Sequence, residues 1–286
     1  MREIKSRIGS VNSTRKITSA MKMIASAKLR KAQSAITNFL PYQKKLDAIL
    51  TNLLSSDTSY ESPFLEKREV KRVAIVAFSS NSTLCGSYNS SVIKEFKATY
   101  GKYKHLDKND ILIYPIGKVV SKAVGRMKLH SEGNFNTLAD TAAYEGIQEL
   151  VGLLMKKYVA TELDEVILIY HHFKSTGTQI LTNAKYLPFN LSEEADKLAT
   201  IDYLFEPSKE EVMNNLIPVV LHSRMFAALL DASASEHAAR TMAMQIATDN
   251  ADELIQDLTI QYNKSRQQAV TNELLDIIGG AAALGG

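Results

Sequence analysis

VVLHSRMFAALLDASASEHAARTMAMQIATDNADELIQDLTIQYNKSRQQAVTNELLDII, residues 219–278, runs for sixty residues without a glycine or a proline. At 1.5 Å per residue an unbroken helix of that length is a rod of about 90 Å, whereas helices in globular domains average roughly 11 to 12 residues. No compact domain has room for such a rod, so it needs a partner along its length. Steps of three and four give Met225, Ala228, Ala232, Ser235, Ala239, Met242, Ile246, Asp249, Glu253, Gln256, Ile260, Asn263, Gln267, Val270, Leu274, Ile277, Ala281 and Leu284, of which twelve of eighteen are apolar. Near the polar gap the stripe moves to Leu254, Leu258 and Tyr262. Ser208-Lys209-Glu210-Glu211 after Pro207 matches a capping box at the start, and Gly279-Gly280 is a natural stop.

The partner lies at the other end of the chain. From Ile4 the same stepping gives Ile4, Ile8, Val11, Arg15, Thr18, Lys22, Ala25, Leu29, Ala32, Ile36, Phe39, Gln43, Leu46, Leu50 and Leu53, apolar at eleven of fifteen positions. The register is unbroken from the basic start into Leu29–Leu53. The Ser, Lys and Arg-rich opening, which superficially fits an organelle transit peptide, therefore reads as part of one mature helix. Between Arg15 and Lys22 the apolar positions move to Ile17, Met21 and Ile24, a stretch that should face a different neighbour. Pro41 should bend this helix without ending it.

Charge decides how the two helices pair. Residues 1–31 carry nine Lys or Arg against Glu3, while residues 231–278 carry eight Asp or Glu against Arg240, Lys264 and Arg266. Complementary blocks favour an antiparallel coiled coil between the ends of the same chain. Two separate helical hairpins in a bundle would need a turn in the second helix, and it offers none. If the helices enter the coil together near residues 54 and 215, Val270 to Leu284 overhangs the partner. That tip holds Val270, Leu274, Leu275, Ile277, Ile278 and Leu284 with only Glu273 and Asp276 charged. So apolar an end requires a socket supplied by another protein.

After the turn-like stretch Ser55–Pro63 the period changes. Val73–Phe78, Ile111–Tyr114 and Val166–Phe173 read as short buried strands, separated by helical stretches at Ser91–Tyr100, Lys118–Lys128 and Leu138–Val159. Thr178–Pro188 follows Ser175-Thr176-Gly177 and reads as an antiparallel edge strand. The predicted fold class is α/β plus a long antiparallel coiled coil: an N-terminal coil helix at 1–58, a Rossmann-like domain with a mainly parallel sheet at 70–200, and a C-terminal coil helix at 208–286.

A Rossmann-like sheet invites a nucleotide, and the loop after the first strand does not match one. Ser79 to Ser87 contains one glycine, Gly86, where a dinucleotide fingerprint needs three. Gly101-Lys102 and Gly117-Lys118 lack the upstream glycine of a phosphate-binding loop. His171 and His172 sit side by side on a strand and point to opposite faces, so they cannot share a metal. His105, His130, His222 and His237 have no partner at ligand spacing. Cys85 is the single cysteine, which excludes an internal disulfide, and it reads as a buried structural thiol. Glu210-Glu211 and Asp252-Glu253 read as helix caps or solvated faces. No catalytic residue, cofactor or metal site is expected within the chain.

Composition agrees with a folded, nearly neutral protein. The chain has 286 residues, 45% hydrophobic and 23% charged, with 34 basic and 31 acidic side chains and a net charge of +3. That is globular usage and excludes wholesale disorder. The basic N-terminal helix carries no aromatic before Phe39, so it has no base-stacking platform and nucleic acid is not an expected partner. No continuous apolar run approaches the ~18 residues of a membrane helix.

The terminal motifs carry a resemblance. Ile8-Gly9-Ser10-Val11-Asn12-Ser13-Thr14-Arg15-Lys16-Ile17-Thr18-Ser19-Ala20-Met21-Lys22-Met23, Ser235-Glu236-His237-Ala238-Ala239-Arg240 and the run from Tyr262 to Leu274 closely resemble the gamma subunit of F-type ATP synthase. The resemblance covers both terminal helices and extends weakly through the middle. It implies a non-catalytic rotor shaft whose coiled coil fills a hexamer of three alpha and three beta subunits. It also implies a Rossmann-like domain seated on the membrane ring of c subunits beside epsilon, and coupling of proton-driven rotation to ATP synthesis. Arg266, Gln267, Thr271 and Glu273 match the family positions that hydrogen-bond the catch loop of a beta subunit, and Met23 and Arg240 match the lower shaft contact. Val270, Leu274, Ile277, Ile278 and Leu284 would then sit in the apolar bearing. Thr83 and Ser87 stand where the family usually has glycine. The single cysteine argues against the chloroplast subtype with its extra dithiol. With its start at Met1 and no convincing leader, the resemblance implies a peripheral protein on the cytoplasmic face of a bacterial inner membrane. A second reading of the same chain is an enzyme whose Rossmann-like domain carries a coiled-coil docking arm.

Overall fold

The computed structural model describes residues 1–55, 62–189, 206 and 208–284. In chain order it contains α1 (Arg2–Ser55), β1 (Val73–Phe78), α2 (Tyr88–Lys102), β2 (Ile111–Ile116), α3 (Lys118–Arg126), α4 (Tyr144–Val159), β3 (Glu165–Ser175), β4 (Thr178–Leu187) and α5 (Lys209–Leu284). Short 3-10 turns at Lys108–Asp110 and Asn136–Ala139 precede β2 and α4. The last part of the expected 70–200 segment and most of the Ser55–Pro63 turn lie outside the described residues. Two compact units result, Met1–Ala25 with Thr241–Gly286 and Ser26–Arg240, and α1 and α5 each contribute to both.

The unit Ser26–Arg240 is built on a four-stranded sheet ordered β2-β1-β3-β4. β1 pairs parallel with β2 and β3, and β3 pairs antiparallel with β4. Every residue of β1 is buried because helices cover both faces of the sheet. Val73, Ile75 and Ala77 point to a face covered by Val92 and Phe96 of α2 and Val120 and Val124 of α3. Ala74, Val76 and Phe78 point the other way, toward Ile147, Leu150, Val151 and Leu154 of α4. That second face is shared with the inner ends of the terminal helices, through Leu50, Leu53 and Leu54 of α1 and Met213, Ile217, Val220, Leu221 and Met225 of α5. The middle segment thus completes its core with parts of both terminal helices. Here α1 and α5 run antiparallel: Arg224 Nε donates to Asp47 Oδ1 at 2.9 Å, and Phe39 meets Phe226 edge-on at 4.9 Å.

The unit Met1–Ala25 with Thr241–Gly286 holds one antiparallel helix pair. Arg15 stands opposite Asp252 and Thr18 opposite Thr248, at 3.0 and 2.8 Å. The expected stripe of α1, Ile4, Ile8, Val11, Arg15, Thr18, Lys22 and Ala25, is buried or half-buried throughout, with Asn12, Ser19 and Met21 half-buried beside it. Of its expected excursion to a second neighbour, Met21 is half-buried, while Ile17 and Ile24 are exposed among the described residues. On α5 the reading of the stripe is corrected. Met242, Ile246, Leu254, Ile260 and Val270 are exposed, and the seam is Met244, Thr248, Ala251, Ile255, Leu258, Tyr262, Ser265 and Ala269. The seam alternates large side chains, Met244, Ile255, Leu258 and Tyr262, with small ones, Thr248, Ala251, Ser265 and Ala269, which lets ridges of one helix fit grooves of the other.

The helix ends also differ in one respect. Glu211 N donates to Ser208 Oγ at 3.2 Å, so Ser208 caps the start of α5 as expected. Gly279-Gly280 does not stop it, and α5 continues to Leu284. Each glycine costs a helix about 1 kcal/mol, and Ala281-Ala282-Ala283, the best helix formers, follow directly. Pro41 and Pro218 both lie inside helices. α5 also contains an eighteen-residue window with mean hydropathy 1.3, long and apolar enough for a membrane span, although no continuous apolar run of that length exists. Half of that window is buried in the chain's own core, as in a core helix of a folded domain.

Candidate functional site

Among the described residues nothing covers the distal end of α5. With Arg15 opposite Asp252 in an antiparallel pair, Met1 falls level with about residue 266, and α5 runs on alone beyond it. Residues 271–280 are all exposed, including Leu274, Leu275, Ile277 and Ile278, and Val270 is 49% exposed. Of the expected bearing residues, only the side chain of Leu284 lies outside the described ones. Arg266, Gln267, Thr271 and Glu273 lie on the same stretch, and all four are exposed. Their spacing places Arg266 and Gln267 about one turn before Thr271 and Glu273, so hydrogen-bonding groups precede the apolar tip. Sequence reasoning missed the exposed apolar side chains of Ile17, Ile24, Ile246 and Ile260, which were read as seam or as packed elsewhere. Their signal was present as the second apolar stripe in each helix.

The second candidate region is the loop after β1, at the point where the sheet order reverses. In doubly wound sheets this crevice takes the ligand. Here it is filled from within: Tyr88 donates its hydroxyl to Ala232 O at 3.1 Å, and the space among Phe78, Ser79, Tyr88, Ala232 and Glu236 amounts to about 10 Å³. That volume holds about one water. Ser80 N donates to Asn89 Oδ1 at 3.1 Å and Asn89 Nδ2 to Cys85 Sγ at 3.0 Å, which seals the base of the loop. Cys85 is buried, and burial pushes its thiol pKa up, the setting of an inert thiol. Gly117, at φ +98°, passes so close to Ser79 that a Cβ there would lie 2.1 Å from the Ser79 carbonyl oxygen.

Met23 and Arg240, the two residues that the resemblance assigns to a lower shaft contact, differ in their surroundings. Met23 is exposed, whereas Arg240 is 8% exposed and bonded to Glu236 and to the Ser82 and Thr83 carbonyls. Its guanidinium is consumed inside the chain, where burial demands that every donor find an acceptor. His171 and His172 do face opposite ways: His171 is buried and stacks on Tyr88 at 4.6 Å, while His172 Nδ1 lies 2.6 Å from Asp231 Oδ2 at the surface. Burial depresses the pKa of His171 to about 4. Among the described residues no three His, Cys, Asp or Glu side chains converge as a metal site.

A family model described as ATP synthase matches residues 1–284. The chain belongs to the ATP synthase gamma-subunit family. It is 57% identical to an ATP synthase gamma chain from Bacteroides thetaiotaomicron over 98% of both chains, and 54% identical to one from Phocaeicola vulgatus over 99% of both. Among solved structures it resembles a chain in the central stalk and c-ring of the Tetrahymena thermophila mitochondrial ATP synthase. That match has a TM-score of 0.60 and 25% identity, over 81% of this chain and 99% of the other. A chain from the Euglena gracilis mitochondrial ATP synthase shares the fold, with a TM-score of 0.65 and 16% identity over 99% of this chain and 94% of that one. The paired terminal helices and the sheet unit share the architecture of these neighbours.

Proposed function

We propose that this chain is the non-catalytic rotor shaft of a proton-translocating ATP synthase, with its helices at 1–58 and 208–286 as the axle and 70–200 as the part that meets the membrane rotor. The observation that carries the reading is the unpartnered, apolar end of α5, which folding of this chain alone leaves in water. An alpha–beta hexamer offers such an end a bearing at Val270, Leu274, Ile277, Ile278 and Leu284. Arg266, Gln267, Thr271 and Glu273, all exposed, are free to hydrogen-bond a beta subunit, and Met23 to contact it lower down. Epsilon and the c-ring are the partners of the sheet unit, and the complex sits on the cytoplasmic face of a bacterial inner membrane.

Mechanism follows from symmetry. Three chemically identical catalytic sites differ only if something asymmetric touches them differently, and a two-helix shaft with unlike faces does so at every angle. The shaft binds no nucleotide; it favours one beta conformation over another. About 5.5 kcal/mol of differential contact switches a site from 1:99 to 99:1. Turning the shaft reassigns the states, and ATP hydrolysis drives it in the opposite direction.

The test is assembly. Co-expressed with alpha and beta subunits, the chain should purify as one copy with three of each, and Arg266→Ala with Gln267→Ala should lower ATPase turnover of the complex without unfolding the isolated chain. Unchanged turnover would remove the assigned contact. The enzyme reading finds little support, since the crevice it needs is filled by Tyr88, Glu236 and the backbone of α5.

A further inference from the structure

Within the unit Ser26–Arg240, an open groove of about 300 Å³ runs between α1, α5 and the outer end of β3. Its walls are apolar: Ile36, Phe39 and Leu40 from α1, Ala227 and Leu230 from α5, and Phe173 from β3. Small-ligand sites begin at about this volume and are mostly apolar, with a few polar groups that fix orientation. Leu40 is 40% exposed and Phe39 is half-buried, so folding of this chain leaves the groove in water.

The charged groups gather at the β3 end. His172 and Lys174 stand two apart on the strand, both are exposed, and both line the groove. His172 Nδ1 lies 2.6 Å from Asp231 Oδ2, and the Phe173 backbone N–H donates to the same carboxylate. Asp231 is thus bonded twice from β3, and burial still pushes its carboxyl pKa up. From α1 the polar lining residue is Gln43, which carries no charge. The groups left over are cationic: among the described residues neither His172 Nε2 nor the Lys174 ammonium has a partner. With Nδ1 turned to Asp231, a protonated His172 keeps its Nε2–H for a second acceptor.

We propose that this groove binds a medium-chain fatty acid of about ten carbons, its chain along Phe39, Leu40, Ala227 and Leu230 and its carboxylate between His172 and Lys174. A carboxylate answers the unused charge with charge-assisted hydrogen bonds, which a neutral alcohol of the same shape cannot form. An amine fits poorly, because the one carboxylate is already bonded and two cations flank it. The site needs only the folded chain and does not depend on the rotor-shaft reading.

Calorimetric titration of the full chain with decanoate should show a single site with a dissociation constant of about 0.1 mM. Decanol and decylamine should each bind at least about tenfold more weakly, and decylamine binding as tightly as decanoate would make Asp231 the partner of the head group and overturn the proposal. His172→Gln and Lys174→Gln should each weaken decanoate about fivefold and leave decanol unchanged; parental affinity in both overturns the assigned head-group contacts. Ala227→Phe fills the groove from a half-buried helix position and should abolish binding. Leu40→Asp sets a like charge beside the bound carboxylate from an exposed position on α1, so it keeps the test open if Ala227→Phe fails to fold, and it should weaken decanoate about tenfold. Several equivalents bound per chain, surviving either variant, would put the amphiphile on the bare end of α5 and overturn the proposal. The complex assembled with alpha and beta subunits should lose one decanoate site when this chain carries Ala227→Phe; no difference would mean that another subunit covers the groove, and the fatty-acid assignment would fall.

Discussion

The Arg15 guanidinium reaches the Asp252 carboxylate at 3.0 Å across 237 positions of sequence, and one turn away the Thr18 and Thr248 hydroxyls meet at 2.8 Å. The ion pair is half in water, with side chains 39% and 47% exposed. Arg15 Nε is buried with no partner among the described residues, which offsets part of the gain. A pair of this kind contributes about 0 to 1 kcal/mol. Arg15→Ala or Asp252→Ala should therefore lower unfolding stability by no more than about 1 kcal/mol, with a coupling energy in the double-mutant cycle of about 0.5 kcal/mol that shrinks as salt rises. A coupling of several kcal/mol would mean that the pair, and not the apolar seam around it, holds the helices together.

Gly117→Ala should be among the most damaging small substitutions in the chain. The added methyl would meet the Ser79 carbonyl oxygen at 2.1 Å in a backbone already at φ +98°. Neither the strand end nor the start of α3 has room to move, since Ser79 N donates to Ile116 O at 2.7 Å and Val120 N to Ser79 Oγ at 3.0 Å. The expected loss is about 3 to 5 kcal/mol, read as a lower urea midpoint at unchanged slope.

His171 gives the fold a pH dependence with a definite sign. Burial lowers its pKa from 6.5 to about 4, so the unfolded chain binds the proton more readily than the folded one. Its contribution to stability is complete above pH 6.5, falls as the pH drops, and levels out near pH 4, with a total of up to about 3 kcal/mol. His237 is shifted in the same direction by burial, so the parent slope is shared. His171→Phe keeps a ring against Tyr88 and removes both the titration and the buried, unpartnered Nδ1. Its unfolding stability should fall less than the parent's between pH 6.5 and 4, and an identical slope would assign the dependence elsewhere.

Strands were the most legible elements of this fold. Val73–Phe78 matches its expected bounds, and Thr178–Leu187 returns antiparallel at the edge, because buried β-branched runs between turn residues have few other uses. The α1 stripe was equally legible. The distal α5 stripe was not, for a physical reason: two apolar stripes of comparable side-chain size run along that helix, and the one through Met242, Ile246 and Ile260 is exposed. Hydrophobic periodicity records every surface a helix will bury, including surfaces covered by other chains, and it does not say which partner covers which. Leu84 was illegible for a different reason. Its backbone takes φ +67° next to a carbonyl bonded by Arg240, more than 150 residues away, and no local pattern announces it.

The end of α5 provides the sharpest contrast between stability and assembly. Leu274, Leu275, Ile277 and Ile278 are exposed, so replacing all four with Gln removes no buried surface and exchanges leucine and isoleucine for comparable helix formers. Thermal unfolding of the isolated chain should stay within about 0.5 kcal/mol of the parent, the range of substitutions away from packed features. Self-association in sedimentation should fall, because the contiguous apolar patch that drives it is gone. Turnover of the assembled complex should fall as well, since the bearing then receives polar side chains that it cannot hydrogen-bond. A loss of more than about 1 kcal/mol in the isolated chain would mean that the tip packs on its own chain in solution, and the overhang, with the bearing built on it, would have to be given up.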